Sequence, residues 1–311
     1  MGANCEKKDK IKPLADLPAS NNTIHCFQFQ EGELFLKIKF LPSEENFTKV
    51  QSPSIYELFA SIEKAGSIYI IGGKRVYPGG TKTYSAETLQ INILNGQVSL
   101  KSELIKKRSL HSCCSTRSFI YAIAGEHSQS PLQSCERLNL EGNRWESIPS
   151  LSHNPQSITA TAFGEKFIFA FGFGINTNKD VFNKTFIERY CVSLNQWKNI
   201  PFNAPASFHL EIPAFSSCLF DTNQIMIFGV AKKLCLTFNV LNGDVTPIGY
   251  LKYGDNLYQR NAHRFRDNVV LYDSLGNGVH IFNLYTSNWD YTQSRFTLKY
   301  TPISDQFQVI S

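Results

Sequence analysis

The chain carries 311 residues, 42% of them hydrophobic and 18% charged, with a formal net charge of +5. This is apolar material for a large interior, and its basicity is too modest and too scattered for a nucleic-acid-binding stripe. No run approaches the roughly 18 apolar residues of a membrane span, and the polar, basic start does not resemble a secretion signal, so a cytoplasmic setting is expected.

In chain order, residues 1–19 read as a flexible tail and 20–311 as one folded domain. Gly2 and Cys5, followed by Lys7, Lys8, Lys10 and Lys12, present an acylation pattern; two lipids plus lysines would anchor the chain to a membrane. That pattern asks for Ser or Thr at position six, and Glu6 stands there, so an unmodified tail is the plainer reading. Strands are expected at 23–30, 34–40 and 46–50. A second unit follows, with a buried apolar run at 67–71 stopped by Gly72 and Gly73, and a loop, 74–83, carrying Lys74, Arg75 and Tyr77. The third repeats that order: a run at 119–124, Gly125, then a loop at 126–133 with Glu126 and His127. The fourth is the clearest, with strands at 157–163, 166–171, 188–193 and 196–201. There Gly172 and Gly174 are expected to end the second strand, and 176–184 to form a polar loop. The fifth and sixth units place their buried runs at 224–228 and 268–272, and the tail 303–310 alternates through Phe307 and Val309.

Each unit also holds two large apolar residues seven positions apart, with a turn between them: Phe40/Phe47, Ile91/Val98, Leu138/Trp145, Tyr190/Trp197, Phe238/Val245 and Phe282/Trp289. Successive second members lie 44 to 52 residues apart, the period of a four-stranded propeller blade. Asn and Gly recur in the turns because they tolerate positive φ. One thin sheet cannot bury both of its faces, so the bulky residues are expected to wedge each blade against the next. The first unit lacks an innermost strand, and the 303–310 tail can supply it, leaving no open sheet edge. The expected fold is all-β: a six-bladed propeller whose ring is closed by the C-terminal strand joining the N-terminal blade.

Eight cysteines without a Cys-x-x-Cys pair or matching histidine spacing read as small apolar fillers of a reducing compartment. Cys113, Cys135, Cys191, Cys218 and Cys235 fall inside expected strands, and the adjacent Cys113 and Cys114 point to opposite faces, where they cannot share an ion. Neither a metal nor a cofactor is expected.

Paired glycines after a buried second strand, a later Tyr-like residue and a Trp about six residues on resemble the Kelch repeat. Gly72 and Gly73 keep the pair intact, Ala124/Gly125, Phe171/Gly172 and Phe228/Gly229 keep one glycine, and three units keep the Trp. Arg108 and His111, and again Arg260 and His263, are similar to the Arg-x-x-His-Ser stretch of many Kelch units. In such propellers that stretch approaches the mouth of a central channel. The resemblance therefore implies partner contacts from Arg108, His111, Arg260 and His263, with guanidinium groups suited to an acidic segment of a protein partner. The competing reading has each Arg tether a neighbouring loop carbonyl. Arg75, Tyr77 and His127, on loops carried by a rigid ring, complete the expected recognition face.

Catalysis finds little support, since no Ser/His/Asp order or zinc-binding helix is visible, and the oxidase and sialidase sites of other propellers cannot be placed in this sequence. The expected function is a non-catalytic protein–protein interaction platform, a scaffold that binds its partner through loops at the channel mouth. The alternatives are a structural component of a larger, cytoskeletal assembly and, behind both, a propeller enzyme of oxidase or glycosidase type.

Overall fold

The computed structural model describes residues 55–176, 181–203, 215–229 and 234–250, together with strands at 23–30, 33–40, 44–50, 263–265, 268–272, 278–283, 288–293 and 309–310 and residue 286. Among them lie six four-stranded antiparallel sheets that follow one another along the chain. The first joins Thr23–Gln30, Glu33–Phe40 and Glu44–Val50 to Val309–Ile310, with Cys26 opposite Val309, so both ends of the chain share one sheet. The second holds Ala60–Lys64, Ser67–Ile71, Thr88–Asn92 and Val98–Leu100, and the third Ser112–Ser115, Phe119–Ile123, Cys135–Asn139 and Arg144–Ile148. The fourth holds His153–Phe163, Phe167–Asn176, Val181–Cys191 and Gln196–Asn199. The fifth runs from Phe215–Asp221 to Val245–Tyr250, and the sixth from His263–Phe265 to Asn288–Gln293.

Successive residues of a strand point to opposite faces, so each buried second strand divides its side chains between two cores. In Phe167–Asn176, Ile168 and Ala170 join Tyr121 and Ile123 of the third sheet, while Phe169 and Phe171 join Ile225, Leu236 and Phe238 of the fifth. Tyr69 and Ile71 meet Ile120, Leu138 and Trp145 of the third sheet, and Met226 and Phe228 meet Val269 and Phe282 of the sixth. Sheets two to six therefore pack face to face in chain order. Burying one such aliphatic or aromatic side chain contributes about 1.5–3 kcal/mol, and a lone sheet would leave it wet.

Five of the seven-residue pairs are direct cross-strand partners: Ile91 and Val98, Leu138 and Trp145, Tyr190 and Trp197, Phe238 and Val245, Phe282 and Trp289. The first pair is not. Phe40 faces Glu44 and Phe47 faces Lys37, because this hairpin closes over residues 41–43, an odd number, whereas the third sheet's closes over 140–143. An odd connection makes the separation of opposed residues even, so residues seven apart cannot meet. Two of the wedges reach back toward the preceding sheet, as expected. Trp145 Nε1 donates to Thr88 Oγ1 of the second sheet at 3.1 Å, and Trp197 Nε1 donates to Pro149 O, just beyond the third, at 2.8 Å.

These turns hold a further device. Asn92, Asn139, Asn239 and Asn283 each follow the first member of a pair, and each turns its Oδ1 back to accept backbone N–H groups of the loop.

The fourth sheet corrects one expectation. Gly172 and Gly174 do not end the second strand, which runs on to Asn176 and returns as Val181–Cys191, so 176 and 181–184, expected in a polar loop, belong to paired strands. The glycines make room: a Cβ on Gly172 would lie 2.2 Å from the Phe186 ring, and one on Gly174 would lie 2.1 Å from Asn154 O. Cys113, Cys135, Cys191, Cys218 and Cys235 lie in strands as thiols. Among the described residues no His, Cys, Asp and Glu cluster is disposed to hold a metal ion, and no helix is long and apolar enough to cross a membrane.

Candidate functional site

The segment expected as a loop over 74–83 is a hairpin, Lys74–Val76 and Lys82–Tyr84, laid against Ile55–Glu57 as a separate three-stranded sheet. Its tip is fixed by its own hydrogen bonds: Tyr77 N donates to Thr81 O at 2.9 Å and Gly80 N to Tyr77 O at 3.0 Å. In the next sheet the corresponding segment is a smaller pair, Glu126–His127 and Ser130–Pro131.

The two segments are joined through Glu126. Lys74 Nζ lies 3.2 Å from Glu126 Oε1, and Tyr84 OH and Ser109 Oγ donate to the same oxygen at 3.2 and 3.1 Å. Lys74 also sits 4.7 Å from the centre of the Tyr84 ring, which packs against His127, while Gln129 N donates to Tyr84 OH at 3.1 Å. Partial burial opposes the charge on Lys74, but hydrogen bonds to Glu126 and Tyr84 outweigh it and raise its pKa. The stabilisation this reflects is present below the ordinary lysine value of 10.5 and is lost as pH climbs through the raised value. The hairpin's other cations are matched as well: Lys82 Nζ lies 2.6 Å from Glu57 Oε2, and Arg75 Nη1 lies 3.4 Å from Glu87 Oε1. Tyr56 OH donates to the second oxygen of Glu87. Three cations thus meet three carboxylates.

Arg75, Tyr77 and His127 all belong to these joined segments. The Arg75 guanidinium lies 5.4 Å from the centre of the Tyr77 ring, and Tyr77 is 40% exposed. Arg108 is placed differently from its expected channel-mouth role. It is wholly buried, and its Nη1 donates to Ala124 O and Ser134 O, both at 2.7 Å. Its Nη2 donates to Ser134 Oγ at 3.2 Å and Glu136 Oε1 at 2.5 Å. Gly73 N donates to Arg108 O at 2.8 Å, which holds the backbone too. A guanidinium is buried at low cost only where acceptors meet it, and here its own chain supplies them to both terminal nitrogens, leaving Nε without one among the described residues. Arg108 is therefore the tether of the competing reading, out of a partner's reach, and His111, 3% exposed, is likewise inside. Arg260, Gly2 and Cys5 lie outside the described residues, and so does the side chain of His263, whose backbone starts His263–Phe265.

Glu136 completes the tether by accepting from Ile105 N and Lys106 N at 2.6 and 3.0 Å. Glu188 in the fourth sheet does the same for Ser152 N and His153 N, at 3.1 and 3.2 Å, with His153 Nδ1 2.8 Å away. Sequence reading missed both glutamates, and Glu57 and Glu87 with them. The one available signal was position: Glu136 and Glu188 each stand two residues before the first member of a seven-residue pair.

The lead-in that carries Arg108, and the third sheet after it, coincide with a known repeat. Residues 107–152 match the Kelch motif. No curated protein matches the chain. The Kelch segment takes in the buried arginine, the glycine turn at Gly125 and the Leu138/Trp145 pair, in sheet order. Kelch motifs build propellers commonly used for protein–protein interaction and are generally non-catalytic. The all-strand fold agrees with that architecture.

Proposed function

We propose that residues 20–311 form a six-bladed ring, sealed where Val309–Ile310 joins the first sheet, and that this ring is a non-catalytic platform for a protein partner in the cytoplasm. The Kelch segment at 107–152, the face-to-face cores of sheets two to six and the shared first sheet support the ring. The recognition face is the joined pair of segments 74–84 and 126–131, with Tyr77 and Arg75 as its main contacts.

One observation carries this reading: an aromatic ring held out to solvent on a hairpin that three ion pairs fix in place. A rigid, exposed Tyr braced by an Arg contributes contact area without a large entropic cost on binding. Each cation of the face already meets a glutamate, so the partner is selected by shape and aromatic contact. The acidic segment that the resemblance implied for Arg108 and Arg260 forms no part of the proposal.

Tagged protein carrying Tyr77→Ala or Arg75→Ala tests the reading. Tyr77→Ala should weaken capture of the co-purifying partner by about 2 kcal/mol of binding or more. Its own stability should stay within about 0.5 kcal/mol of the parent. Undiminished capture by both variants would discard this face.

A further inference from the structure

The accessory sheet has the order Ile55–Glu57, Lys74–Val76, Lys82–Tyr84, and among the described residues no further strand lies beside the last. The register shows which backbone groups this leaves outward. Tyr77 N bonds Thr81 O, Ser85 N bonds Gly73 O, and Arg75 stands opposite Thr83. Antiparallel ladders alternate bonded and non-bonded pairs, so Thr83 turns its N–H and C=O inward to Arg75. Lys82 and Tyr84 occupy the non-bonded places, and their N–H and C=O groups point away from the hairpin. These groups stand two residues apart, in the spacing of one side of a ladder, and residues 77–83 are exposed without a break. Edge strands are often guarded by a lysine. Here Lys82 is instead drawn to Glu57 at 2.6 Å.

We infer that the Lys82–Tyr84 edge is a strand-addition site, on which an extended segment of the protein partner pairs as a fourth strand. This rests on the partner-binding reading of the same face and names the form the partner takes. Residues of the added strand that share the face of Thr83 lie on the side of Arg75 and Tyr77. Main-chain hydrogen bonds give the affinity, and contact with Tyr77 gives the preference among sequences. Because Lys74 and Lys82 are matched by Glu126 and Glu57, side-chain charge contributes little.

A displayed library of random linear peptides, selected on the full-length protein, supplies the probe. The selected peptide is then synthesised and titrated against variants. Lys82→Pro removes an outward N–H without removing a hydrogen bond of the hairpin, and Lys82→Ala controls for the lost ion pair. Lys82→Ala should bind like the parent, and Lys82→Pro should bind about tenfold more weakly or worse. A second measurement leaves the protein intact: peptides N-methylated at alternate residues should lose binding in one register and keep it in the other. Failure to select any peptide, or equal binding by both methylated registers, overturns strand addition. Binding lost in Tyr77→Ala but indifferent to Lys82→Pro and to N-methylation would keep the face and overturn the strand. A strand-type peptide indifferent to both Tyr77→Ala and Arg75→Ala would support the edge while removing those residues from the earlier reading.

Discussion

The third and fourth sheets solve one problem with different side chains. In each, a buried glutamate on the third strand takes two backbone N–H groups from the segment that leads into the sheet: Glu136 from Ile105 and Lys106, Glu188 from Ser152 and His153. In the third sheet the charge is answered by Arg108, which also binds Ala124 O and Ser134 O. In the fourth, His153 Nδ1 lies 2.8 Å from Glu188 Oε1, and the ring stacks on Phe186 at 4.3 Å. A guanidinium stays charged and needs many acceptors, whereas an imidazole offers one donor to the carboxylate and a flat face. Beyond the backbone N–H groups that each glutamate takes, the lead-in of the third sheet is thus locked by a polar cage around Arg108, and that of the fourth by one side-chain hydrogen bond of His153 and a stack. Gly172 makes the stack possible, since a side chain there would occupy the space of Phe186.

Removing the cage should have the largest effect. Arg108→Ala leaves Glu136 buried without its cation and two carbonyls without their donor, and should destabilise the protein by about 3–5 kcal/mol in urea titration. Arg108→Lys should recover little, because an ammonium cannot span the same acceptors. The fourth sheet should lose less. His153→Phe keeps a ring against Phe186 but removes the donor to Glu188, at a cost of about 1.5–3 kcal/mol by the same titration. Equal losses in Arg108→Ala and His153→Phe would mean that the extra carbonyl contacts of Arg108 contribute nothing.

The glycines sharpen the contrast at a slightly smaller scale. Gly172→Ala should cost about 1–3 kcal/mol through overpacking against Phe186. Its obstacle is a side chain, so adding Phe186→Leu should restore part of the loss. Gly125 in the third sheet has φ +99, and a Cβ there would lie 2.5 Å from Ser109 O. Gly125→Ala meets backbone, and no neighbouring side-chain change should rescue it. Thermal unfolding of the two singles and of the double variant distinguishes these cases.

Much of this architecture was legible because it is local. Ser67–Ile71 and Asn268–Tyr272 announce themselves as continuous apolar runs, and five seven-residue pairs follow from hairpins of one length. The first pair does not meet across its hairpin, because a loop of one residue fewer changes the parity without altering composition. The fourth hairpin was misread because glycine in a strand signals either a stop or a close neighbour, and Phe186 lies fourteen residues from Gly172. At the site, Arg75 and Tyr77 were expected on a loop and stand instead in a hairpin, and the glutamates that neutralise it come from other segments and leave no local pattern. Arg108 was visible as a residue of consequence. Whether it faced a partner or the interior depended on acceptors at 124, 134 and 136, which no spacing rule reveals.

The smallest effect lies in the core between these two sheets. Cys114 and Cys135 of the third sheet share a cluster with Phe186 and Tyr190 of the fourth. Burial pushes the Cys135 thiol up to about 12, with weaker downward pulls from the Ala124 backbone and Arg108. Burial likewise lifts Cys114 well above the ordinary 9.0. In both, the folded chain holds the proton more tightly than the unfolded chain does. Below 9.0 the thiol is neutral in either state and stability does not depend on it. As pH rises from 9.0 toward about 12, the unfolded thiol ionises and the folded one does not, so stability falls. Cys135→Ala should therefore flatten the alkaline decline of the urea midpoint between those values. At neutral pH, alkylation of Cys135 should be as slow as opening of the core allows, with modified sites located by mass spectrometry. Rapid native-state labelling there would mean that the third and fourth sheets part far more readily than a cage around Arg108 permits.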